Sequence, residues 1–306
     1  MSKKILFMGT PDYATTIFEE LLNSSYELVG LFTQPDKPVG RKQVLTPPHI
    51  KQFCINKDLS LPIYQPEKLR GNTEAKEQIE ALNPDFIIVA AYGQILPKEI
   101  LDIAPCINLH ASLLPKYRGA SPIQESLLND DNFTGVTSMF MEEGLDSGDI
   151  LGLQYLKITS TMEVAEAFAK LSDIAAKLTI TTLNDFDKIK PKKQNEAEVS
   201  FCKKIKKEDG LVSLEDAKAL FLKYKAYSYW PGVFLESGLK LKDIELIDEC
   251  SSNKEGELLE IAKDYIILGC IKGSLKIKTL QAPSKKAVNS ADYIRGQRLQ
   301  EKDLLI

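Results

Sequence analysis

The stretch Phe86–Tyr92, FIIVAAY, is apolar almost throughout, so a strand built from it has no face to give to water. Lys4–Met8, Leu28–Thr33, Cys106–His110 and Val136–Met141 are similar short runs. The amphipathic stretches Tyr13–Leu22 and Ala75–Leu82 lie between some of them, with helical spacing. Strands apolar on both faces, alternating with helices, predict an α/β fold: a mostly parallel sheet covered by helices on both sides. Met162–Asn184 then reads as a long helix.

Beyond it the pattern changes. Lys188–Asn195, KIKPKKQN, is charged, contains proline and lacks apolar periodicity, which suits a linker. Leu214–Tyr227 reads as one helix. Short strand-like runs follow at Val233–Leu235, Leu239–Leu246, Leu258–Ile261, Tyr265–Cys270 and Ser274–Leu280. Regular short strands separated by turns predict a small β-barrel or sandwich. A length of 306 residues suits two such domains. The expected division is 1–187, a linker over 188–207, and 208–306.

Charge excludes a polybasic chain, because the net is −4 overall. It is uneven, however. Residues 190–306 hold 22 Lys and Arg against 18 Asp and Glu, whereas residues 1–189 hold 17 against 25. A basic C-terminal third fits a polyanionic partner. Five scattered cysteines, none in a CxxC pair, and two histidines predict neither a zinc site nor a disulfide framework. No run approaches the ~20 apolar residues of a membrane span. The first apolar run is too short for a signal peptide. The expectation is a soluble cytoplasmic protein without membrane contact.

Three segments could carry chemistry. In CINLHASLLPKYRGASPIQ (106–124), Asn108 and His110 lie two apart at the end of an apolar strand, so both project from one face. Open α/β sheets bind ligands at that carboxyl edge. A lone histidine at a strand end is more often structural, but the adjacent carboxamide favours function. In GVTSMFMEEGLDSGDI (135–150), a strand runs into an acidic loop whose glycines allow Asp146 or Asp149 to be aimed, although an ordinary acidic turn would look the same. TQPDKPVGRKQVLTPP (33–48) has four prolines and the cations Lys37, Arg41 and Lys42. It can be neither helix nor central strand. A solvated loop or a phosphate-gripping one fits equally. Gly9, which ends the first strand, stands alone, so no dinucleotide fingerprint is present.

Together these segments resemble the methionyl-tRNA formyltransferases, over essentially the whole chain. The resemblance rests on ILFMGTPDYA, TQPDKPVGR, AYGQILP, INLHASLLPKYRGASPIQ, GVTSMFMEEGLDSGDIL and YWPGVF. It implies a Rossmann-like formyltransferase domain followed by an OB-like, tRNA-binding barrel. It implies transfer of the formyl group of 10-formyltetrahydrofolate to the α-amine of methionyl initiator tRNA, with no metal. Asn108 and His110 would donate to the developing oxyanion. Asp146 would orient His110 and help to remove the amine proton. Ser112, Leu113, Leu114 and Pro115, with Ala90, Tyr92 and Ile95, would bind the folate. Arg41 and Lys42 would touch the tRNA, and the enzyme would act as a monomer. Formyltransferases of glycinamide ribonucleotide or sugar nucleotides, a formyltetrahydrofolate hydrolase and a non-catalytic RNA-binding protein are the competing readings.

Overall fold

Alternate side chains of the first strand find cover on opposite faces of one sheet. In β1 (Lys4–Gly9), Leu6 and Met8 join a buried cluster with Ala75 and Ile79 of α3 (Thr73–Leu82). Phe7 instead meets Phe18 of α1 (Asp12–Leu22) edge to face, with ring centroids 5.4 Å apart. This two-sided burial is what an uninterrupted apolar strand requires. The computed structural model describes residues 2–40 and 42–305.

The sheet has seven strands. Besides β1 they are β2 (Glu27–Phe32), β5 (Ile63–Tyr64), β6 (Phe86–Ala90), β7 (Cys106–His110), β9 (Phe133–Phe140) and β10 (Ile150–Lys157). Their order is β10-β9-β7-β6-β1-β2-β5, parallel from β7 through β5. β9 runs antiparallel to both β7 and β10, so the sheet is mostly parallel, as the strand pattern led one to expect. The connection between β9 and β10, residues 141–149, is too short for the dozen or more residues of a parallel crossover. α3 starts where the Asn72 side chain accepts the Ala75 N–H at 3.0 Å, and it ends at Asn83 in the left-handed region.

The remaining elements of the first two thirds of the chain are β3 (Lys37–Val39), β4 (Val44–Thr46), α2 (His49–Asn56), α4 (Lys98–Leu101), β8 (Arg118–Gly119), α5 (Pro122–Leu128), the long α6 (Val164–Asn184) and β11 (Phe201–Cys202). The proline-rich segment forms an isolated antiparallel hairpin of β3 and β4, in which proline costs no ladder bond of the main sheet.

The later strands are all antiparallel. They are β12 (Val233–Phe234), β13 (Lys240–Ser252), β14 (Leu258–Ile261), β15 (Ile266–Gly269), β16 (Lys272–Gln281) and β17 (Val288–Asn289). Leu241, Ile244, Leu268 and Leu275 form a core there with Leu220 of α7 (Ala217–Tyr227) and Ile294 of α8 (Ser290–Gly296). The chain divides into two compact units. The first holds 1–122, 133–157 and 168–202, and the second holds 123–132, 158–167 and 203–306. No helix among the described residues is long and apolar enough to cross a membrane.

Candidate active site

Asn108 and His110 project from the same face of β7 at its carboxyl end, and both are buried. The loop between β9 and β10 brings Asp146 to them across a sequence gap of some 38 residues. Asp146 Oδ2 lies 3.7 Å from His110 Nδ1, and Asn108 Nδ2 reaches Asp146 Oδ1 at 3.5 Å. The carboxylate is fixed more firmly by the backbone, because Gly119 N–H donates to Oδ2 at 2.8 Å. Asp146 itself sits at φ 48, a left-handed conformation that aspartate tolerates better than most residues. Gly148 beside it is required by space, since a Cβ there would stand 1.9 Å from the Phe140 carbonyl oxygen.

The second imidazole nitrogen is committed. His110 Nε2 lies 2.9 Å from the Tyr117 carbonyl oxygen, which can only accept, so Nε2 carries the proton. Nδ1 is therefore the nitrogen that faces Asp146. Tyr117 (φ 61) turns its carbonyl towards the ring from a loop that continues into Gly119. A Cβ on Gly119 would stand 2.2 Å from the Cys202 carbonyl oxygen, so only glycine can place its N–H on Asp146. Neither the Tyr117 carbonyl nor the Gly119 N–H is legible as a functional group in sequence, because both are backbone groups. The available signal was the glycine directly after Arg118.

The remaining expected residues fall into three groups. Ser112, Leu113, Leu114 and Pro115 follow β7 directly, with a cis bond between Leu114 and Pro115. Ser112 is buried. Its hydroxyl donates to the Lys116 carbonyl at 2.6 Å, and its own carbonyl accepts from Thr137 Oγ1 at 2.6 Å. Ala90 and Tyr92 are buried at the end of β6, with the Tyr92 ring in the core cluster against α3. The Tyr92 carbonyl already accepts from Thr10 Oγ1 at 3.0 Å and Gln34 Nε2 at 3.1 Å. Among the described residues the buried Tyr92 hydroxyl has no hydrogen-bond partner. Ile95, by contrast, is 75% exposed. Lys42 lies exposed in the turn joining β3 and β4, away from the Asn108–His110–Asp146 group in the chain, and Arg41 lies outside the described residues. Among the described residues no group of three or more His, Cys, Asp or Glu could hold a metal ion.

Residues 3–183 match the family model "Formyl transferase", and residues 204–298 match "Formyl transferase, C-terminal domain". A curated relative from a Nitratiruptor species, named methionyl-tRNA formyltransferase, is 56% identical over 300 residues, covering 98% of this chain and 99% of its own. The protein of that name from Campylobacter lari is 54% identical over 303 residues, covering 99% of both chains. Among solved structures, methionyl-tRNA formyltransferase from Clostridium thermocellum aligns with a TM-score of 0.55 at 20% identity, over 80% of this chain and 94% of that one. HypX from Aquifex aeolicus in complex with tetrahydrofolic acid aligns with a TM-score of 0.67 at 17% identity, over 96% of this chain and 47% of that one. At these identities the structural likenesses speak for the fold alone.

Proposed function

The chain belongs to the formyl transferase family, and we propose that it uses Asn108, His110 and Asp146 to pass the formyl group of 10-formyltetrahydrofolate to the α-amine of methionyl initiator tRNA. The observation that carries the site assignment is the meeting of a carboxamide and an imidazole with one carboxylate at the sheet edge, Asn108 at 3.5 Å and His110 at 3.7 Å from Asp146. Bound 10-formyltetrahydrofolate supplies the activated formyl carbon.

The methionine amine attacks that carbon, a C–N bond forms, and negative charge gathers on the formyl oxygen. Asn108 Nδ2 donates to this oxygen. A protonated His110 Nδ1 adds a second donor, its ring held in place by the Nε2 bond to Tyr117. Asp146 Oδ1 is the freer carboxylate oxygen, because Oδ2 holds the Gly119 N–H. It accepts the proton that leaves the amine, directly or through a water. The bond from the formyl carbon to the folate nitrogen then breaks. A proton returns to that nitrogen, leaving formylmethionyl-tRNA and tetrahydrofolate.

Ser112, Leu113, Leu114 and Pro115 hold the folate beside β7, with Ala90, Tyr92 and Ile95 on the β6 side. The exposed Ile95 side chain suits a ligand with a flat, largely apolar face. The Tyr92 carbonyl is already occupied, so a pterin would draw its backbone contacts from elsewhere in 90–96. Arg41 and Lys42 contact the tRNA. Residues 1–187 carry the chemistry, 188–207 follow with 188–202 packed into the same unit, and 208–306 hold tRNA in a monomeric cytoplasmic enzyme.

The test is formyl transfer to charged initiator tRNA with glycinamide ribonucleotide as competing acceptor. Formylation of the methionyl-tRNA alone is expected. Transfer only to the ribonucleotide, or release of formate with neither acceptor modified, would overturn the substrate assignment.

A further inference from the structure

Gln194 is 8% exposed and uses every hydrogen-bonding group of its side chain within the first unit. Its Nε2 donates to the carbonyl oxygens of Asp146 and Gly148, both at 2.8 Å. Its Oε1 accepts from Arg118 Nε at 2.9 Å. The way round of this amide follows from chemistry. A guanidinium has only donors, so the oxygen must face Arg118 and the NH2 must face the loop. Arg118 is buried and is held in turn by Glu196 Oε1 at 2.8 Å.

The segment carrying Gln194 is pinned on both sides of the site. Lys192 exchanges backbone bonds with Ile150 at 2.8 and 2.9 Å, just after the Asp146 loop. Ser200 accepts the Arg118 N–H on its carbonyl and the Tyr117 N–H on its hydroxyl, both at 2.9 Å. Phe201 and Cys202 pair with Arg118 and Gly119. One end of this strap therefore fixes the backbone of Asp146. The other fixes the loop whose Tyr117 carbonyl orients His110. Asp146 has a left-handed backbone, which persists only where its surroundings impose it.

We infer that Gln194, set by Arg118, is a positioning residue for formyl transfer: its amide clamps the Asp146 backbone so that the carboxylate meets His110 and Asn108. The inference rests on the role given to Asp146 above. Gln194 touches no reacting atom and acts only through that loop.

The experiment is steady-state kinetics on the full chain with charged initiator tRNA and 10-formyltetrahydrofolate. It compares Gln194→Leu, Gln194→Glu, Asp146→Asn and the double variant Asp146→Asn/Gln194→Glu. Leucine removes all three bonds. Glutamate keeps an acceptor for Arg118 and loses both donors to the loop, so it gives the answer if the leucine variant does not fold. Either folded variant is expected to lose about 10- to 100-fold in kcat, as a displaced catalytic group does. KM for both substrates is expected to stay within about twofold. The double variant is expected to be no slower than Asp146→Asn, because two residues acting as one unit do not lose activity twice. Wild-type kcat in Gln194→Glu beside an inactive Asp146→Asn overturns the positioning role and leaves the role of Asp146 standing. Losses that multiply in the double variant overturn it too, since Gln194 would then act elsewhere. Wild-type kcat in Asp146→Asn removes the role of Asp146 itself, and the inference with it.

Discussion

Asn108 places one amide hydrogen towards Asp146, at a loose 3.5 Å, and among the described residues its Nδ2 has no other acceptor. A buried donor held this weakly contributes little to folding and is ready for an oxygen that becomes charged. Asn108→Ala is therefore expected to lower kcat by about 10²- to 10³-fold, the usual loss for one oxyanion donor. Thermal melting, followed by circular dichroism, should show little change, and a kcat within about threefold of wild type would remove the donor role. The carboxamide–imidazole pair was legible in sequence, because residues two apart on a strand share a face. Asp146 was legible only as one of two acidic candidates between glycines, and the resemblance singled it out. The Tyr117 carbonyl, the Gly119 N–H and Gln194 carry no such signal. Two are backbone groups, and the third lies in a charged stretch whose lack of periodicity read as a connector.

Elements buried on both faces were the most readable part of the chain, because burial leaves a composition that little else produces. β1, β2, β6, β7 and most of β9 stand where the apolar runs fall. β10 was missed. It is an edge strand in which Gly152, Gln154 and Lys157 interrupt the apolar residues, so its sequence gives no continuous apolar run like those of the central strands. The proline-rich segment was excluded from helix and central strand, and it is neither. Its hairpin depends on Gly40 (φ 71) and on local pairing that composition does not encode. Helix starts were less readable: the spacing began these helices at Ala75 and Leu214, whereas side-chain caps start them at Thr73 and Ala217. Asp216 caps α7 by accepting the Ala219 N–H at 3.0 Å. That bond holds the Asp216 carboxyl below its ordinary 3.8, against partial burial and with help from Lys272. A lowered carboxyl stabilises the fold only while ionised. Its contribution is complete above the ordinary value and is lost as pH falls through the lower folded one. Asp216→Ala is expected to cost about 0.5–2 kcal/mol at pH 7, the usual worth of an N-cap. Urea titrations should show the gap from wild type narrowing below about pH 4, where the cap becomes protonated. A gap that widens on acidification would contradict this sign.

At the scale of the molecule, the second unit is assembled from three pieces of chain, two of which are ten-residue excursions, 123–132 and 158–167, from the stretch that otherwise builds the first unit. Their attachment is polar as well as apolar. Lys225 of α7 is 2% exposed, with Nζ 3.3 Å from the Ser160 carbonyl and 3.8 Å from Asp130 Oδ1. Burial pushes its ammonium below the ordinary 10.5, and the Asp130 carboxylate pulls the other way. Lys218 shares the same carboxylate at 3.1 Å, and the Tyr224 hydroxyl reaches Glu163 at 3.1 Å. Asp130 thus ties an excursion to two lysines of α7. Breaking a fully buried pair costs about 3–5 kcal/mol, but Asp130 reaches solvent, so Asp130→Asn is expected to cost about 1–2 kcal/mol. Asparagine is the appropriate probe because Asp130 has φ 50, a conformation that asparagine also tolerates. The single tryptophan, Trp230, lies in this unit and reports its urea unfolding directly. If the cost is that of a stranded ammonium, then adding Lys225→Met to Asp130→Asn should restore most of the lost stability, because a buried apolar chain needs no counter-charge. A double variant no more stable than Asp130→Asn alone would place the loss in the Asp130 turn instead. The charge that matters for this unit would then be a local one and not the tie between distant stretches of chain.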